Sequence, residues 1–294
     1  RMTEVEPINV TKIIDNVKIS DDNFNPEVVS RFLWIIGMLP AEQIKKLTAK
    51  IRDERWICLM RKFTRSGYEF SRVVKKLVDA KEWGAIIELA QAMFVVKEKS
   101  DSSEQDRSLI SDNPFYMADL DASGIFEALT GIDDMHAELA LKIATEAMSA
   151  IVKLANSDSS EFFDYEDLFS LFDVDFFTLE LRNKRNTSFR EDVRNLAAAI
   201  VGLIKKTIGI KCDNSNEAKR FFEYIKTIPL CRSIWRLRLF ALSCCPKMFS
   251  EELKQAFFKL FDVENYYEVE GGTEYKKALK IGFSELSNPD QREY

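Results

Sequence analysis

Histidine is almost missing from this chain of 294 residues, with His136 the single example. That excludes most imidazole chemistry. A multi-histidine zinc site, a two-histidine iron site and an H-E-x-x-H protease all need more than one. A Ser-His-Asp or Cys-His mechanism would have to be built on His136. It follows Asp133-Asp134-Met135 at the start of a helical pattern and reads as a surface or first-turn residue. Glycine and proline are scarce too, at 10 and 7. Turns between strands lean on both, so their scarcity favours long helices. No glycine-rich run leads to a Gly-Lys-Ser/Thr and no G-x-G-x-x-G occurs, which leaves nucleotide phosphates without a backbone cradle. The five cysteines, Cys58, Cys212, Cys231, Cys244 and Cys245, contain no C-x-x-C. An odd number of thiols at irregular spacing reads as reduced, in a reducing and hence cytoplasmic setting. The longest uncharged apolar run, Leu196 to Ile204, is too short to span a bilayer. The N-terminus, Arg1-Met2-Thr3-Glu4-Val5-Glu6, is polar and acidic rather than secretory, so no membrane partner is expected.

What is present is ordinary globular material: 46% hydrophobic and 31% charged residues, with a formal net charge of -6. The negative balance argues against a generic nucleic-acid binder. The 22 phenylalanines read as filling for an aromatic core.

Apolar positions then recur at helical spacing along the chain. Asn25 suits an N-cap and Pro26 a first helical position, followed by Val29, Phe32, Leu33, Ile36 and Leu39. Pro40 opens a second helix with Ile44, Leu47, Ile51, Ile57 and Met60 on one side. Ser66 with Glu69 has the form of a capping box, leading into Phe70, Val73, Val74 and Leu77. A partner helix, Glu82 to Val96, turns Ile86, Leu89, Ala90 and Met93 inward. Trp34, Trp56 and Trp83 read as packing residues between these hairpins. Helices resume over Asp121 to Leu129 and Asp133 to Ala155, the latter with Leu139, Ile143, Ala147, Ile151 and Leu154 on one face. They continue over Val193 to Ile208, from Asn214 or Ser215 to before Pro229, from Leu230 to Cys245, from Ser250, and from Thr273 to Leu286.

The hairpins that open near Pro26 and Ser66 are about 40 residues apart, the period of HEAT and armadillo repeats. In this the chain resembles a HEAT-like helical repeat. The resemblance implies an all-α fold of stacked antiparallel helical hairpins, an α-solenoid, with each hairpin burying one face on the next. The chain reads as a single helical domain, either whole or a piece of a longer protein. Its sub-blocks are N-terminal hairpins over 1–99, middle helices over 100–187 and C-terminal hairpins over 188–294.

Two stretches break the rhythm. Ser100 to Asn113 is polar and reads as a mobile loop. Residues 158–187 read as an irregular ordered insertion, with a short helix at Tyr165 to Phe172 and an extended piece at Phe176 to Leu181. It packs Phe162, Phe163, Tyr165, Phe169, Phe172, Phe176 and Phe177 among acids. So many aromatics favour a structural plug docked on the stack over an exposed patch.

Chemistry-bearing groups are few. Asp119-x-Asp121 and Asp173-x-Asp175 are bare acidic pairs that hold Mg²⁺ only where other oxygens converge. A metal-dependent enzyme would rest on Asp164, Asp167, Asp173 and Asp175. An endonuclease-like version would want a lysine where Arg182 stands, and a sheet to hold it. No cofactor is expected. Basic clusters are the better candidates for an interaction surface: Arg182, Lys184, Arg185, Arg190 and Arg194 near one junction, and Arg232 and Arg236 around Trp235. Residues 232 and 236 share one helix face and Arg238 lies on another. Such a set suits an acidic peptide or phosphate, or else pairs within the fold. The expectation is a non-catalytic protein-protein interaction scaffold, with a nucleic-acid-binding helical repeat as the alternative.

Overall fold

A computed structural model of the chain describes residues 6–18, 25–61, 66–96, 114–115, 120, 123–155, 162, 168, 171–181, 191–212, 215–261 and 272–294. The loop expected over Ser100 to Asn113 lies outside the described residues. The fold is all-α. Among the described residues β pairing is limited to an isolated bridge between Val96 and Phe115.

The N-terminal block holds α1 (Pro7–Asp15), α2 (Pro26–Ile36), α3 (Ala41–Lys46), α4 (Thr48–Ile51), α5 (Glu54–Arg61), α6 (Ser66–Asp79) and α7 (Trp83–Met93). The α2 start is the one its residues dictate: Asn25 caps it by accepting from the Glu27 amide at 2.9 Å, with Pro26 in the first turn. Val29, Leu33, Ile36 and Leu39 are fully buried, as are Val73 and Leu77 of α6 and Ile86, Leu89 and Ala90 of α7. The α6–α7 connection closes on Lys81, which takes a left-handed φ of 58° while the Glu82 amide reaches back to the Leu77 carbonyl at 2.9 Å. That is a Schellman stop made without glycine.

The middle and C-terminal blocks hold α8 (Ile125–Thr130), α9 (Ala137–Ala155), α10 (Glu191–Ile204) running into a π-helical turn (Lys205–Gly209), α11 (Ser215–Lys226), α12 (Arg232–Ser243), α13 (Ser250–Leu260), α14 (Thr273–Gly282) and α15 (Asn288–Glu293). Close packing steps along the chain. Helix α2 lies on α6, α6 on α7, α7 on α9, α9 on α10 and α11, α10 on α12, and α12 on α13 and α14. Among the described residues no closely packed pair joins α1–α7 to α11–α14.

Five expectations are corrected. The helix after Pro40 is three short ones, and the third starts where the Asp53 carboxylate caps it by accepting from the Arg55 amide at 3.0 Å. The Ser66–Glu69 box does not form: Ser66 is already helical, and its hydroxyl is buried with no partner among the described residues. Leu139 is 47% exposed, because α9 buries the arc of Ala140, Leu141, Ala144, Met148 and Ile151 against its neighbours. Trp34 is 43% exposed, while Trp56 and Trp83 are buried as expected. Residues 176–178 form a turn rather than an extended piece, closed by the Thr178 amide on the Asp175 carbonyl at 3.0 Å. Helices α1 and α15 were not anticipated, although Pro7 and Pro near the α15 start carry the usual first-turn signal.

Candidate functional site

Arg236 is drawn inside, not onto a surface. It is 4% exposed and sits on α12. Its Nε donates to Glu274 Oε2 at 2.8 Å and its Nη2 to Glu274 Oε1 at 3.0 Å, a bidentate pair with the fully buried carboxylate of α14. Its remaining N–H groups donate to the carbonyls of Leu171, Phe172 and Val174. Glu274 Oε1 in turn accepts from the Phe176 amide at 3.1 Å. One ion pair thus satisfies backbone groups of the 171–176 segment that have no ladder of their own. Phe176 is fully buried, the Arg236 guanidinium lies 5.5 Å from its ring centre, and Phe177 meets Phe240 edge-on at 5.3 Å. The described part of the aromatic insertion is therefore docked as a plug. Asp175 adds a second tie through Lys277.

This corrects the candidate surface at Arg236: a charge with this many internal partners is not available to a ligand. Arg232 is half-buried, with its guanidinium 4.8 Å from the Phe172 ring centre, and Arg194 is half-buried on α10. Arg182, Lys184, Arg185 and Arg190 lie outside the described residues, as do Asp119, Asp121, Asp164 and Asp167.

The acidic candidates that are described do not converge. Asp173 is exposed and Asp175 is held by Lys277. Among the described residues no group of three or more His, Cys, Asp or Glu is placed to hold a metal ion. His136 meets Asp133 through Nδ1 at 2.7 Å, and the same carboxylate accepts from the His136 amide at 3.0 Å, fastening the entry to α9. Burial pushes the Cys244 thiol up to about 12, far from a neutral-pH thiolate. Cys245 beside it is pushed upward by burial as well. Cys212 donates its thiol to the Cys244 carbonyl at 3.2 Å.

A groove between α11, α12 and α13 is a concave feature of the described residues. Each helix contributes one stripe. Phe222 and Lys226 stand one turn apart on α11, Trp235, Arg238, Leu239 and Leu242 follow one face of α12, and Glu252, Gln255, Ala256 and Lys259 follow one face of α13. The cavity is about 270 Å³ and opens to solvent. Its floor is apolar, from Phe222, Trp235, Leu239, Leu242 and Ala256. Its rim carries Lys226, Arg238, Lys259 and Glu252, and the Lys226 ammonium is paired with the Glu223 carboxylate at 2.7 Å. The Lys226 ammonium lies 5.4 Å from the Phe222 ring centre and Lys259 5.4 Å from that of Trp235, so both charges lean over aromatic rings. Arg238 donates to the carbonyls of Lys226 and Ile228, both at 2.9 Å, which closes the end of α11 and fixes the guanidinium at the groove.

Sequence reasoning noticed Arg238 but set it apart from Arg232 and Arg236, and passed over Lys226 and Lys259. The signal was available within each helix as i, i+3, i+4, i+7 spacing. The meeting of the three stripes was not, because it depends on how the helices pack. No helix of the described residues is long and apolar enough to cross a membrane. No known protein family, curated protein or solved structure matches this chain.

Proposed function

We propose that this chain is a non-catalytic protein-interaction module built on a HEAT-like stack of helical hairpins. The observation that carries the reading is the groove of α11, α12 and α13: a solvent-open hollow with an apolar base and a rim of lysine, arginine and glutamate side chains. Such a hollow offers a concave, mixed-charge surface to a protein partner. Packing that steps from each helix to near neighbours supports the stacked arrangement. A helical repeat gripping nucleic acid is the weaker reading, since Arg236, one of its needed contacts, is spent on Glu274.

The test is affinity capture from lysate of the cells that make the protein, with Lys226→Glu/Lys259→Glu as the paired control. Both lysines are exposed, so the variant should fold. Protein partners present with the native chain and lost with the variant support the reading. Recovery of nuclease-sensitive nucleic acid, released steeply by salt, would replace it with the alternative.

A further inference from the structure

Three thiols, Cys212, Cys244 and Cys245, gather at a point that neither the groove nor the buried ion pair uses. They come from separate parts of the chain. Cys212 follows the π-helical turn that ends α10, and Cys244-Cys245 close α12. The Cys212 sulfur lies within hydrogen-bonding distance of the Ile208 carbonyl at 3.6 Å and of the Cys244 carbonyl at 3.2 Å, so it points at the end of α12. There it also meets the Cys245 thiol in a side-chain hydrogen bond. The thiols differ in access. Cys212 and Cys244 are half-buried, whereas Cys245 is 3% exposed.

The backbone favours one pairing. Cys244 keeps helical backbone angles, which turn consecutive side chains about 100° apart. A bridge between the neighbours Cys244 and Cys245 is therefore disfavoured. Cys245 is held in place: its amide donates to the Leu242 carbonyl at 3.2 Å, and its carbonyl accepts from the Met248 and Phe249 amides at 3.1 and 3.2 Å. Its thiol is the one that the Cys212 thiol touches.

From these observations we infer that Cys212 and Cys245 are a peroxide-sensitive thiol pair, which closes to a disulfide and staples the exit of α10 to the end of α12. The oxidant is a hydroperoxide, hydrogen peroxide in the simplest case. In the first step the half-buried Cys212 sulfur takes one peroxide oxygen. The S–O bond forms as the O–O bond breaks, giving a sulfenic acid and water. In the second step the Cys245 sulfur attacks the Cys212 sulfur. The S–S bond forms as the S–O bond breaks, and the hydroxide leaves as water with the Cys245 proton. Two thiols and one peroxide become one disulfide and two waters. Burial keeps Cys245 protonated at neutral pH, which slows the second step. Contact within one chain offsets this, because a positioned partner acts at a high effective concentration. Such a bridge suits a reducing setting, where disulfides are usually transient and redox-sensing. It brackets α11 and α12, two walls of the groove, and does not depend on a partner binding there.

The experiment treats the full chain with hydrogen peroxide, alkylates the remaining thiols and maps the unreduced digest by mass spectrometry, with melting curves alongside. Peptides joined through Cys212 and Cys245 of one chain are expected, with the melting temperature raised by roughly 3–6 °C. Dithiothreitol should reverse both. Cys212→Ser should abolish the link and the shift, and Cys244→Ser and Cys58→Ser should keep them. The map of the native chain identifies the pair directly should Cys212→Ser melt lower. The proposal is overturned if Cys212 ends as a sulfinic or sulfonic acid without a link, or if it links to Cys244. Links between chains only, a link that forms only in urea, or a link that leaves the melting temperature unchanged or lower would overturn it too.

Discussion

Arg236 and Glu274 show what one pair of side chains can hold. A buried ion pair often contributes little compared with apolar residues of equal volume, because both charges are desolvated. Here the guanidinium also satisfies three carbonyls and the carboxylate an amide. Replacing Arg236 by Met should lower the unfolding free energy by about 3–5 kcal/mol, read from urea denaturation. The usual remedy of removing both charges should fail at this site. Arg236→Met with Glu274→Leu leaves the backbone groups of Leu171, Phe172, Val174 and Phe176 without partners, at roughly 1–3 kcal/mol for each that stays dry. A double variant as stable as the native chain would mean that these backbone groups find water or other partners. Sequence alone put Arg236 with Arg232 on a presumed surface. Helical spacing tells which residues share a face, but not whether that face meets solvent or a buried carboxylate from a helix well beyond it in the chain.

The 171–181 segment is the element most dependent on such ties. Besides Arg236, it is held by Asp175, whose carboxylate pairs with Lys277 and accepts from the Phe177 amide at 3.1 Å. Burial by itself would raise the Asp175 carboxyl. The hydrogen bonds from Lys277 and Phe177 and the Lys277 charge outweigh burial and hold it below its ordinary value of 3.8. A carboxyl depressed on folding gives stability that is present above the unfolded value and lost as pH falls through the folded one. Acidification below about 3.8 should therefore loosen this segment. Hydrogen exchange at the Phe177 and Thr178 amides should speed up there relative to the α10 amides. Lys277→Met removes most of that depression, so exchange at these amides should be faster already at neutral pH and should respond less to acidification; an unchanged acid response would show that Lys277 does not hold Asp175 in solution. The sequence marked this region as irregular, acidic and aromatic, and its plug role followed from the number of rings. Its turn did not, because the donors that close it come from α12 and α14 as well as from its own chain.

At the scale of the molecule, α9 and α10 are the bridge. Helix α9 packs on α7 before it and on α10 and α11 after it, and α10 packs on α8 and α12. Ala197, Ala199, Ile200, Leu203 and Ile204 of α10 are fully buried. Packing is continuous from the N-terminal hairpins to the last ones, so the chain should unfold as one unit. Trp235→Phe leaves Trp34, Trp56 and Trp83 to report on the N-terminal block by fluorescence, while circular dichroism reports on all helices. Coincident urea midpoints are expected. Midpoints that separate would mean that the fold divides into independently stable parts.

The residues by themselves determined that this is a helical protein, and where many of its helices lie. Scarce glycine and proline, caps such as Asn25-Pro26 and apolar positions one turn apart are local causes with local effects. The same residues limited the chemistry, through a single histidine and the absence of a phosphate-binding loop. Only the tertiary structure decided that Arg236 is internal and that Leu139 and Trp34 are exposed. It also decided that stripes from α11, α12 and α13 meet in a groove. The reason is physical. Periodicity sets the direction of a side chain relative to its own helix axis, whereas burial, pairing and concavity depend on which other helix arrives there, and that is settled by packing between segments distant in the chain.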